Sequence, residues 1–257
     1  MLQQQLRPST RALCIAVGLA AIVGLWQLTV ATGFISDLLL PRPTLVGQAL
    51  VAMAQSSSFW HDLLATVLTW LLGVAVGTVI GGAVGLVLGL NSYVWAAAEP
   101  WVEFLRALPS VVLIPLVSIF LGVGTSSRFA CATLVVVLLM VSSSATALRA
   151  TRSSHLRLAV AWRARPLQLL WSFYLPATLS HLIVALRAAV PLALIVTVAA
   201  DMLIATDAGI GRILMDSLAV FDTKKLYAGV IVVGALGYVA ASISSFVERK
   251  TMHWSGT

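Results

Sequence analysis

Long stretches without a single charged residue alternate with short polar ones along this chain. The uncharged runs cover residues 12–36, 63–98, 107–127, 129–148 and 226–247, with a shorter one at 188–200. A helix needs about 20 apolar residues to cross the hydrocarbon core of a bilayer, and most of these runs reach that length. They are too long and too uniformly apolar to be the alternating strands of a membrane barrel. Segments in lipid must satisfy their own backbone hydrogen bonds, so helices are predicted throughout. The pattern predicts an all-α, polytopic helical membrane protein with about six spans, near residues 12–31, 62–90, 94–122, 128–148, 182–205 and 226–247. It reads as a single transmembrane domain over residues 1–257. The first run exceeds a signal-peptide core and no A-x-A site succeeds it, so it is read as a retained span.

The second run carries Gly73, Gly77, Gly81, Gly85 and Gly89 at a constant spacing of four, with Gly82 beside them. Residues four apart share one helix face, so this helix presents a bare strip about 24 Å long. Such a strip admits a second helix at close range. It suits either fixed packing within one protomer or a sliding or dimer surface.

Arg187 and Asp201 are read as the ionisable residues inside or at the edge of an apolar span, and both are translocation-pathway candidates. Fourteen residues separate them, about 21 Å along one helix, too far for a direct pair. Arg187 also suits snorkelling toward the interface, and Asp201 suits capping of nearby backbone. Pro191, one turn after Arg187, invites a kink.

Composition agrees with the pattern: 60% of the 257 residues are hydrophobic and 10% charged. The net charge of +7 is unevenly distributed. One set of cations holds Arg7, Arg11, Arg106, Arg149, Arg152, Arg157, Arg163, Arg165, Arg249 and Lys250. The other holds Arg42, Arg128, Arg212, Lys224 and Lys225, interspersed with aspartates. The positive-inside rule then places both termini and the 149–181 loop in the cytoplasm. The basic excess is topological, and no basic soluble domain exists to bind nucleic acid. No phosphate-loop motif is present, the four histidines lack metal-ligand spacing, and no cluster of titratable groups suggests a catalytic site. Cys14 and Cys131 fall within apolar runs and read as buried small side chains rather than a disulfide.

The longest polar loop contains LAVAWRARPLQLLWSFYLPATL, residues 158–179. His155 to Trp162 are predicted to form a short helix, a second piece begins near Pro166, and Pro176 stops or bends the chain beyond it. Leu167, Leu170, Phe173 and Tyr174 share a face rimmed by Arg157, Arg163 and Arg165. That amphipathic piece fits the membrane surface and a groove on a cytoplasmic partner equally well.

Five segments resemble, in order, a known family. They are LLLPRPTLVGQAL (38–50), LRALPSVVLIPL (105–116), FLGVGTSSR (120–128), LQLLWSFYLPATLSHLIVALRAAV (167–190) and AADMLIATDAGIGRILMD (199–216). The chain is similar to the membrane-spanning permease subunit of bacterial type I ABC importers, in the group with sulfonate, taurine and nitrate permeases. The resemblance covers nearly the whole chain and implies a fold of that type in the bacterial inner membrane. It implies ABC ATPase subunits that bind ATP and Mg, a second permease in a homo- or heterodimer, and an extracytoplasmic substrate-binding protein. No cofactor, metal or catalytic residue is implied for this chain. The implied solute is small and often anionic: a sulfonate, taurine, nitrate or aromatic acid, with precursors of thiamine or riboflavin also within the group's range. The alternative is a self-contained secondary transporter or channel subunit, which predicts inverted repeats with broken helices or a filter motif. Neither is read from the sequence.

The family's cytoplasmic loop carries an EAA motif that couples to the ATPase. Its Glu-Ala-Ala positions correspond here to Arg157, Leu158 and Ala159, and its glycine position to Arg163. Ala164 and Gln168 match common family residues, and the Leu-Pro end persists as Leu175 and Pro176. Basic residues thus replace the usual acidic residue and glycine. The resemblance implies either an ATPase adapted to them or a partner permease that keeps an intact motif.

Overall fold

The computed structural model describes residues 8–161, 175–204 and 207–251, and all regular structure among them is helical. Its α-helices are α1 (Pro8–Ala31), α2 (Pro43–Gln55), α3 (Ser57–Leu90), α4 (Ser92–Ala107), α5 (Leu113–Leu121), α6 (Thr125–Ala161), α7 (Leu175–Leu203), α8 (Ile210–Ala219) and α9 (Thr223–Thr251). A 3-10 turn at Ser110–Val112 precedes α5. Helices α1, α3, α6, α7 and α9 are each long and apolar enough to cross a membrane.

The third predicted span is broken. Helices α4 and α5 meet at an 87° bend. Pro109 forces this elbow: the residue before a proline is driven out of helical geometry, and Leu108 has ψ 132°. Other boundaries move for equally local reasons. No glycine or proline lies between Leu148 and Ala161, so the short helix predicted from His155 is the continuous end of α6. Helix α7 starts at Leu175, and Pro176 lies in its first turn rather than stopping or bending the chain. A first-turn residue needs no backbone donor, so proline is accommodated there. Helix α2 likewise begins with Pro43, after extended Arg42. Neither α2 nor α8 is among the elements predicted from the pattern.

The chain divides into two compact units. One comprises Met1–Phe59 and Ile213–Ile231. Within it, the indole Nε1 of Trp26 donates to the Pro41 carbonyl at 3.0 Å, and the Trp26 ring lies 5.9 Å from that of Tyr227. Val46 and Met53 bury one face of α2.

The other unit comprises Trp60–Arg212 and Val232–Thr257. Its organising contact is α3 against α6. A Cβ on Gly73 would stand 2.7 Å from Ala132 Cβ, on Gly77 2.6 Å from Val136 Cβ, on Gly81 2.7 Å from Met140 Cβ, and on Gly85 2.8 Å from Ser144 Cβ. Gly89 would bring one to 3.3 Å from Leu148 Cδ2. Every pair is 59 residues apart in sequence. A constant offset means the two helices run in the same direction. The glycine strip therefore packs within the protomer, helix on helix, at a separation no side chain permits. Parallel travel also requires the chain to recross the membrane between α3 and α6. The bent α4–α5 pair is the only connection, so it serves as the return span and completes six. Trp95 of α4 seals this junction against Val141 and Ala145 of α6, and the Trp70 indole ties α3 to the Val190 carbonyl of α7 at 2.9 Å.

Candidate functional site

Asp62, Thr66 and Thr69 occupy one face of α3 at spacings of four and three, near its start. They meet Arg128 in the first turns of α6, Asp201 in the last turn of α7, and the turn leading into α8. All five side chains are buried, Asp62 at 1%, Arg128 at 2% and Asp201 at 2% exposure. Arg128 Nε stands 2.8 Å from Asp201 Oδ1, an ion pair lying off the line of a hydrogen bond. Its two terminal nitrogens donate to the Ala208 carbonyl and, at 3.1 Å, to Thr69 Oγ1. Thr66 Oγ1 donates to the other Asp201 oxygen at 2.6 Å.

The same residues cap α8. The Gly209 amide donates to Asp62 Oδ1 at 2.9 Å and the Ile210 amide to Thr66 Oγ1 at 2.9 Å. These amides begin a helix and have no partner within it, so α3 supplies the caps that α8 lacks. Arg212 Nη2 reaches both oxygens of Asp62, at 3.1 and 2.9 Å. Gly209 adopts φ +144°, and a Cβ there would lie 2.6 Å from Asp201 Oδ2. Only glycine fits. Two aspartates and two arginines thus balance, locking α3, α6, α7 and the α8 entry together at one end of the helices. A cavity of about 490 Å³, lined by Thr69, Thr125, Arg128 and Asp207 among others, adjoins the network.

Of the two pathway candidates, Asp201 lies inside this closed network. Arg187 lies elsewhere, half-exposed and paired with Glu248 of α9 at 2.6 Å. Arg128 and Arg212, which the charge pattern counted only for sidedness, are network members. The signal was present in the i, i+4, i+7 polar stripe of Asp62, Thr66 and Thr69 on an otherwise apolar helix.

A second polar group was also missed, because Arg106 was counted only for sidedness. Arg106 Nη1 donates to Glu103 Oε1 at 2.6 Å and to Ser142 Oγ of α6 at 3.0 Å, while that hydroxyl donates to Glu103 Oε1 at 2.9 Å. Glu103 and Arg106 stand in the last turns of α4, at the elbow, against Ser142 of α6. The broken helix that the sequence pattern did not disclose is therefore present, and it carries charge. Of the residues aligned with the coupling motif, Arg157, Leu158 and Ala159 fall in the last turns of α6, and Leu175 and Pro176 open α7. Arg163, Ala164 and Gln168 lie outside the described residues. Among the described residues no cluster could hold a metal ion.

Residues 73–253 match the family described as binding-protein-dependent transport system inner membrane component. The chain is 25% identical to the taurine transport system permease protein TauC of Escherichia coli (strain K12), over 97% of this chain and 92% of TauC. It is 23% identical to the putative aliphatic sulfonates transport permease protein SsuC of Bacillus subtilis (strain 168), over 91% of this chain and 85% of that one. Its fold is similar to a chain of the methionine ABC transporter MetNI in an inward-facing conformation, with TM-score 0.63 and 17% identity, covering 73% of this chain and 93% of that one. A family match over residues 73–253, most of its length and from the glycine strip through α9, makes this chain a member of the binding-protein-dependent transport system inner membrane components, the membrane-spanning transport subunits of ABC importers.

Proposed function

We propose that this subunit forms half of the pathway by which a small organic solute carrying a sulfonate group enters the cell, driven by a partner ATPase docked on residues 155–176. The near full-length similarity to TauC carries the reading, and the similarity to SsuC supports the same solute class. An external binding protein delivers the solute, and a second permease completes the pathway. Helix α6 supports the docking role: it runs eleven residues past Ala150, where its apolar span ends, or about 16 Å beyond. That extension lies at the end opposite the Asp62–Arg128–Asp201–Arg212 network. With Arg106, Arg128 and Arg212 removed from the count, the remaining cations still favour the side holding both termini and this loop. The loop and termini are therefore assigned to the cytoplasm and the buried network to the outer side.

The test is reconstitution. The subunit is placed in liposomes with its ATPase and binding protein, and uptake of radiolabelled taurine and short alkanesulfonates is measured. Uptake that requires ATP and the binding protein is expected. Full uptake by this chain alone, without nucleotide, would overturn the assignment.

A further inference from the structure

We propose that Arg106, with Glu103 and Ser142, forms a way-station for the anionic group of the solute at the elbow of the broken span. This rests on the sulfonate-importer reading above and gives it a site. Depth is the first observation. Ser142 lies seventeen residues beyond Thr125 and eight before Ala150, the limits of the apolar span of α6. That places it about 25 Å from one end and about 12 Å from the other, inside a hydrocarbon core about 30 Å thick. Arg106 and Glu103 contact Ser142 and share that depth.

Exposure is the second. In the protomer the Arg106 side chain is 38% exposed and that of Glu103 51%. A charged pair so exposed within the hydrocarbon is costly against lipid and is found facing a water-filled cavity or partner protein. Here the covering is water, because the pair sits where the backbone itself breaks. Irregular backbone at membrane depth is tolerated where it is buried in protein or lines an aqueous space. A cavity of about 130 Å³ opens beside Arg106, with Ser110, Cys131 and Leu138 among its walls.

At rest, Glu103 and the Ser142 hydroxyl occupy Arg106. An arriving sulfonate or carboxylate takes the guanidinium, and the exposed Glu103 rotates away. Because Glu103 competes for the same donors, the anion is held loosely, as passage requires. No bond is made or broken. By contrast, Arg128 is closed to a solute: it is buried, and its nitrogens face Asp201, Ala208 and Thr69.

The test reads charge at the site without knowing the solute. In the assembled importer, with Cys14→Ala and Cys131→Ala, Glu103→Cys and Ser110→Cys are introduced separately. Right-side-out and inverted vesicles are treated with two aqueous thiol reagents, anionic sulfonatoethyl and cationic trimethylammonioethyl methanethiosulfonate. Labelling of at least one position is expected, with Val79→Cys on the exposed face of α3 unlabelled. The anionic-to-cationic rate ratio should fall by about tenfold or more when Arg106→Gln is added, and Arg106→Lys should restore it. A ratio indifferent to Arg106, or no aqueous labelling at either position, overturns the proposal; the latter marks a dry interface with the second permease. Sulfonate uptake on the same preparation judges the functional reading separately, since uptake can persist with the labelling result negative.

Discussion

Arg128 and Asp201 illustrate how little a buried charge contributes by itself and how much is lost when its partner goes. Desolvating both consumes most of their attraction, so the pair is worth little against apolar residues of similar size. Removing one side leaves the other stranded at 2% exposure, its charge uncompensated. Arg128→Met is therefore expected to destabilise the purified protein by about 3–5 kcal/mol. Adding Asp201→Leu should recover most of that loss, as read by chemical unfolding in detergent. Equal and additive losses would mean that the two side chains do not act as a pair. This partnership is invisible along the chain, because the residues are 73 positions apart and border different apolar runs. Local periodicity records which face of a helix is polar; it does not record which other helix answers it.

Among the elements, α3 and α6 make the most demanding contact. At Gly77 a new Cβ would fall 2.8 Å from the Thr133 carbonyl oxygen, and at Gly81 2.6 Å from that of Val137, so the backbone of α6 must retreat. Gly77→Ala and Gly81→Ala should each cost about 1–3 kcal/mol. At Gly82 nothing lies within 4 Å of the added atom, so Gly82→Ala should remain within about 0.5 kcal/mol. Thermal unfolding of the three variants in one detergent checks the contrast, and equal shifts would argue against the register described. This strip was legible in advance because a four-residue spacing is a property of one helix. Its mate was not, since either protomer can supply one. The elbow was half legible. Pro109 is the residue that breaks the helix, but it lies inside the uncharged run 107–127, so the pattern alone reads one span through it. Treating that span as straight in turn left Arg106 and Glu103 without a place in it.

For the molecule as a whole, the question is whether the segment 155–176 transmits a partner's motion. If that segment docks on an ATPase, reversing its unusual cations by Arg157→Glu or Arg163→Glu should weaken ATPase co-purification or uptake by about tenfold, the scale of one interfacial charge pair. Membrane insertion and detergent stability should not change. Unaltered association and uptake in both variants would assign coupling to the second permease. The constant offset between the glycine strip and α6 bears on a different matter, the making of the protein. Each glycine is synthesised 59 residues ahead of the side chain that will cover it. At roughly 5–20 residues per second, that is a wait of roughly 3–12 s. During it α3 stands in the bilayer with its backbone strip open to any passing helix, while the bent α4–α5 pair is threaded back across. The order of birth and the order of packing therefore differ, and the strip stays uncovered until the ribosome has made its mate.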